Sequence, residues 1–197
     1  RSSYNFNMIV TKKDLREYLS CDAKNFPLEN EWWGKRVMNH LFSNPISDQK
    51  YIWKYIYTLR HVEYHFNNKG IYHILMSLYY RWLLREYSYK TGFQIPPNTC
   101  GKGLTIWHWG PIIINSKCKL GENCTLYPMV LIGHKSTCSP APVLGDNVFV
   151  GAGSKIIGDI RIGNNVVIGQ NVTIVKNIPD KTIIVNPSAL SLIHISE

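Results

Sequence analysis

The spacing of apolar positions changes character once along this chain, near residue 91. Before that point it is helical. Thr11 with Asp14 three residues on is an N-cap signature, and a helix from about Lys12 to Ala23 is predicted behind it. Ser47 is a second N-cap candidate. Ile52, Ile56, Leu59, Val62 and Phe66 then fall on one face of a helical period, which Asn67, Asn68 and Gly70 should end. A third helix carries Ile71, Leu75, Leu78 and Trp82 on one face and should run out before Gly92.

After that point the period is six. Ile114, Leu120, Leu126, Ile132, Cys138, Leu144, Val150, Ile156, Ile162, Ile168 and Ile174 recur at that interval, and glycine follows at 121, 133, 145, 151, 163 and 169. Neither a helix nor an alternating strand has this period. A parallel β-helix does, because each short strand ends at a corner where one aliphatic side chain points in and glycine takes the turn. Three hexads close one triangular coil, so residues 92–178 predict about five coils. The stretch His134 to Val143 contains Pro140 and Pro142 and few strand formers, and is expected to loop out as a flap over a site. The predicted fold class is mainly β, a parallel β-helix of about five coils preceded by an α-helical part, with a boundary between 1–91 and 92–197.

Composition sharpens that division. Eleven of twelve tyrosines precede residue 91, and twelve of fourteen glycines lie at or after Gly92. Of the formal charge of +9, +6 belongs to the first part. No apolar run reaches the roughly 18 residues of a membrane-spanning helix; the longest, Ile71 to Leu84, is broken by Arg81. No stable membrane insertion is expected. The five cysteines are an odd number and do not suggest a disulfide framework. With no leader-like start, although the first residue is Arg1 and Met8 could be a natural start, a cytoplasmic location is expected. The aromatic helices lack the basic sheet groove of nucleic-acid modules, so no nucleic-acid partner is expected. Cys118 and Cys124 recur as interior repeat residues and not as a CxxC pair, so no metal is expected.

Residues 101–190 resemble the hexapeptide-repeat acyltransferases, specifically their serine O-acetyltransferase-like branch. The matching segments are GKGLTIWHWGPIIIN (Gly101 to Asn115), LGENCTLYPMVLIG (Leu120 to Gly133), the run from Val143 to Ile174 and the end piece IPDKTIIVNPSAL. The resemblance implies a left-handed coil, a helical N-terminal part, acetyl-CoA as co-substrate and a homotrimer, possibly paired into a dimer of trimers. It also implies a catalytic base at His108, five residues after a Gly-x-Gly. The backbone at Ala152, Gly153 and Gln170 is implied to meet the pantetheine arm, with Lys176 or Lys155 near the phosphates.

This chain departs from the serine enzymes at three places. Gln94 stands where an aspartate orients the base, Trp107 where an aspartate precedes it, and Ala141 near a second histidine that helps hold serine. Surface-polysaccharide acetyltransferases keep the base, and the stretch Gly92 to Pro97 is closer to theirs. The main expectation is therefore O-acetylation of a sugar hydroxyl, with Gln94, Trp107, Trp109 and His134 contacting the acceptor. Serine O-acetyltransferase is the alternative, and a non-catalytic trimeric scaffold the alternative of another class. A histidine suits the chemistry, since an alcohol is hardly ionised at neutral pH and imidazole titrates near it. Against that role, His108 keeps the phase of the inward aliphatic positions, which would bury it unless Gly110 and Pro111 break the phase. His194, in the tail, is read as structural.

Overall fold

The computed structural model describes residues 8–26, 49–136 and 139–186, so Ser47, Cys138 and His194 lie outside the described residues. Among the described residues three helices come first: α1 (Lys12–Ala23), α2 (Gln49–Phe66) and α3 (Ile71–Thr91). The Thr11 cap is a complete capping box. Its hydroxyl accepts the Asp14 N–H at 3.1 Å, and the Asp14 carboxylate accepts the Thr11 N–H at 2.7 Å. The Thr11 N–H bond, made to the charged carboxylate, is the main reason the Asp14 carboxyl lies below the usual range.

Ile52, Ile56, Leu59 and Val62 of α2 are buried as the period predicts, but Phe66 is 61 % exposed. It is the last residue of the helix, and the next residue, Asn67, turns inward instead, its amide reaching the Ile9 carbonyl and Asn98 Oδ1, both at 3.0 Å. The predicted stripe of α3 is a second difference. Ile71, Leu75, Leu78 and Trp82 are all exposed, because α3 meets α2 through another face. That face carries buried Ser77 and the rings of His73 and Tyr80, which pack against Tyr64, His65 and His61 of α2.

From Phe93 the chain winds through three parallel faces. The first contains Phe93–Gln94 (β1), Ile112–Ile114 (β3), Val130–Gly133 (β6), Lys155–Ile157 (β9) and Thr173–Ile174 (β12). The second contains Lys119–Leu120 (β4), Val143–Leu144 (β7) and Arg161–Ile162 (β10), extended by single bridges at Cys100 and Ile178. The third contains Thr105–Ile106 (β2), Thr125–Leu126 (β5), Phe149–Val150 (β8), Val167–Ile168 (β11) and Ile183–Ile184 (β13). Visiting the faces in that order from Phe93 to Ile184 makes the five expected coils.

Equivalent residues stack in columns, such as Leu120, Leu144 and Ile162, or Ile132, Ile156 and Ile174. The glycines at the corners let one coil sit directly on the next. A Cβ on Gly151 would lie 2.7 Å from the Gly169 carbonyl carbon. Cys118 and Cys124 point inward among aliphatics, and burial pushes the Cys124 thiol up to about 12. The helices close the first coil: Tyr55 packs edge-on against Phe93 at 5.2 Å between centroids, and one buried cluster runs from Ile52 to Ile174.

Candidate active site

The column spacing shows where the repeat is interrupted. Leu126 to Ile132, Val150 to Ile156 and Ile168 to Ile174 each advance six residues between the third face and the first, whereas the equivalent pair Ile106 and Ile114 is eight apart. The two extra residues fall in the turn Trp107-His108-Trp109-Gly110-Pro111. The inward position of that coil is therefore Ile106 and not His108. His108 is exposed, with a φ of +66°, a left-handed conformation that a residue with a Cβ adopts at some cost.

The turn is held through its backbone. Trp107 N–H donates to the Leu126 carbonyl at 3.2 Å, Gly110 N–H to the Thr91 carbonyl at 2.9 Å, and Met129 N–H to the Pro111 carbonyl at 2.5 Å. Gly110 lies against Pro128, where an added Cβ would come within 3.1 Å. Trp107 and Trp109, both exposed, flank the imidazole in sequence.

Three of the predicted coenzyme residues lie on this same edge. Ala152 and Gly153 turn the corner of the third coil and Gln170 that of the fourth. Gly153 N–H donates to the Pro128 carbonyl at 3.0 Å, and the Ala152 carbonyl accepts the Asn171 N–H at 2.8 Å. At about 4.8 Å per coil, the His108 turn and Ala152 are roughly 10 Å apart along the axis. Lys155 Nζ reaches the Gly153 carbonyl at 3.2 Å. Lys176 is exposed and follows β12, on the edge between the first and second faces.

His134 also belongs to that other edge, half-buried and directly after β6. From Ile132 to Leu144 the chain advances twelve residues where Ile114 to Leu120 and Ile156 to Ile162 advance six. One hexad of length leaves the wall there. Ser136 and Ser139 close a small turn within it, and the chain rejoins the wall at buried Ala141, with Lys119 N–H donating to the Pro142 carbonyl at 3.2 Å. Within one chain, then, His108 and His134 stand on different edges of a triangular prism. Gln94 lies on β1 beside Ile113, at the mouth of a groove under α3.

Met129 was not singled out by sequence reasoning. It occupies the corner position that Gly153 and Asn171 fill one and two coils further on, also at positive φ, and it is 66 % exposed next to the His108 turn. The available signal was a bulky residue at a corner the repeat gives to glycine or asparagine.

Residues 141–176 match the family model described as bacterial transferase hexapeptide (six repeats). The coil carries a repeat similar to that of the bacterial hexapeptide transferases. Its sequence is serine acetyltransferase-like: it is 40 % identical over 98 residues to a serine acetyltransferase of Staphylococcus epidermidis and 37 % identical to one of Staphylococcus aureus, covering 48 % of this chain. The match spans 46 % of those relatives, about half their length.

Two solved structures share the fold. Serine acetyltransferase isoform 3 of Entamoeba histolytica, in complex with cysteine, superposes with a TM-score of 0.63 at 24 % identity over 93 % of this chain and 61 % of that one. The Neisseria gonorrhoeae serine acetyltransferase in complex with serine gives 0.60 at 21 % over 88 % of this chain and 67 % of that one. The shared fold is the left-handed parallel β-helix with helices before it. Among the described residues no three His, Cys, Asp or Glu side chains converge as a metal site would need, and no helix is long and apolar enough to cross a membrane.

Proposed function

We propose that this hexapeptide coil is an acetyl-CoA-dependent O-acetyltransferase with His108 as general base. The observation that carries the reading is the expanded turn, which turns a histidine outward on the coil edge that also bears Ala152, Gly153 and Gln170. In the reaction, His108 takes the proton of the acceptor hydroxyl as its oxygen attacks the thioester carbonyl. Backbone N–H groups stabilise the tetrahedral oxyanion. The C–S bond then breaks, and the departing thiolate recovers the proton from His108. Ala152, Gly153 and Gln170 would line the pantetheine arm, because residues of little bulk at a corner let it approach the wall, and Lys176 or Lys155 would meet the phosphates.

His134 can join His108 only if the edge of one copy meets the other edge of the next. A closed ring of three copies satisfies that for every subunit at once, which supports a homotrimer.

L-serine is the acceptor that the curated relatives favour. A sugar hydroxyl is the second reading, supported by two exposed tryptophans beside the base, which offer faces on which a sugar ring can stack. A thiol-release assay with acetyl-CoA tests both: stimulation by L-serine selects the first and stimulation by sugars alone the second, while absence of acetyl-CoA binding leaves a scaffold. His108→Ala should lower turnover by about 10² to 10⁴ in a protein that still folds, with the melting temperature as the folding control. Near wild-type turnover would remove His108 from the mechanism.

A further inference from the structure

Between α3 and the first coil runs an open groove of about 400 Å³. Its walls include Leu84, Pro96 and Pro97, and its polar side chains include Arg81, Arg85 and Gln94. Volumes of about 300 to 1,000 Å³ with a mainly apolar lining and a few placed polar groups are typical of small-molecule sites. Two other polar groups there are already used: Ser88 Oγ donates to the Phe93 carbonyl, and Tyr55 Oη exchanges hydrogen bonds with the backbone of Ile95.

Arg81 and Arg85 are different. They stand four residues apart on α3, are exposed, and have no acidic partner among the described residues. Like charges at that spacing weaken a helix, so the fold gains nothing from the pair. Guanidinium groups match the planar, forked geometry of carboxylate and phosphate oxygens, and two on one helix face can grip the same anion. The helical part also holds +6 of the chain's +9, a surplus that coenzyme binding on the coil does not use.

We propose that this groove binds a small organic anion, a sugar bearing a phosphate or carboxylate group. Arg81 and Arg85 hold the charged group, Gln94 hydrogen-bonds a hydroxyl, and the ring rests against Leu84, Pro96 and Pro97. Arg85 precedes Thr91 by six residues, about 9 Å along the helix axis. Thr91 in turn accepts the Gly110 N–H, two residues past His108. Thr91, at the end of the same helix, thus joins the groove's arginine-bearing wall to the turn that carries the proposed base. The binding itself does not depend on the transferase reading.

Titration calorimetry with glucose, glucuronate, glucose 1-phosphate and UDP-glucose as probes tests it on the full chain and on the double variant Arg81→Gln, Arg85→Gln, with melting temperature as the folding control. The anionic probes should bind more tightly than glucose, weaken with added salt, and lose about tenfold or more in the double variant. The ranking of glucuronate against the phosphate probes identifies the preferred anion. Equal binding of the anionic probes to both proteins, or no advantage over glucose, would overturn the proposal. Charge-dependent binding in a protein that transfers acetyl to no acceptor would support the groove while counting against the transferase reading alone.

Discussion

Inside the coil, buried side chains are small or aliphatic and repeat in columns; where the helices meet the first coil, the core is crossed by charge. Arg60 is fully buried. Its Nε donates to Asp22 at 2.8 Å, Nη1 to Glu63 at 3.0 Å and to the Cys100 carbonyl at 2.9 Å, and Nη2 to the Gly101 carbonyl at 2.7 Å. The carboxylates reach the coil as well, Asp22 accepting the Leu104 N–H and Glu63 the Asn98 N–H, both at 2.8 Å. Burial works against the Arg60 charge, but Asp22 and Glu63 outweigh it and keep the guanidinium protonated. Burial also raises the Glu63 carboxyl, against the pull of Arg60. The wall of the coil is thus held by many interchangeable units, and its junction with the helices by one non-repeating constellation that fixes where α1 and α2 sit.

The largest expected effect tests that contrast directly. Arg60→Met leaves two buried carboxylates and two carbonyls without their donor and should cost about 3 to 5 kcal/mol. Ile168→Val, which removes one methylene from a coil column, should cost about 0.5 to 1.5 kcal/mol. Urea denaturation measures both. Comparable losses would mean that the charged junction is no more specifying than one rung of the wall.

A smaller effect sharpens the contrast within the coil itself. Met129 and Gly153 occupy the same corner in neighbouring coils, with φ of +63° and +73°. Met129→Gly should release left-handed strain and raise stability by about 1 kcal/mol, part of the gain being offset by glycine's greater freedom when unfolded. Gly153→Ala should lower it, since the new Cβ would lie 2.1 Å from Asn171 Oδ1. Melting temperatures moving in the same direction for both would show that corner geometry does not govern these positions.

The same contrast explains what could be read in advance. A repeat writes its wall into the sequence, so the coil number and the inward column were legible from one period, and the His134 excursion from Pro140, Pro142 and the scarcity of strand formers between them and His134. Its interruptions were not. His108 lies six residues before Ile114 and looks like a column residue, because the phase passes through the turn while the chain reaches its inward position at Ile106. The excursion after Ile132 has the length of a whole hexad, so the spacing alone hid how much chain leaves the wall. Periodicity likewise found the stripe of α3 but could not say that the helix would pack through Ser77, His73 and Tyr80 instead. Nothing in the sequence around Arg60 distinguishes it from a surface arginine. Its role depends on Asp22 and on carbonyls 40 and 41 residues away.

The smallest expected effect belongs to the helical part alone. His65 and His73 face each other with their Nδ1 atoms 3.0 Å apart, an arrangement that requires one nitrogen to donate and the other to be bare. Tyr64, Tyr72 and Tyr80 pack around the pair, and His61 lies nearby on α2. Burial, then the neighbouring His73 and His61, hold His65 below the usual imidazole range, and burial lowers His61 too. A histidine that titrates lower in the folded state takes up its proton more readily when unfolded. Its contribution to stability is therefore present above the ordinary value of about 6.5 and is lost as pH falls from there through the folded value. The melting temperature should decline between pH 7.5 and 5.5, and His65→Gln should flatten that decline while Ile168→Val leaves its slope unchanged. Equal slopes in all three proteins would place the acid sensitivity outside the α2–α3 contact. Among the described residues His65 is the one buried histidine, so the effect belongs to the α2–α3 contact.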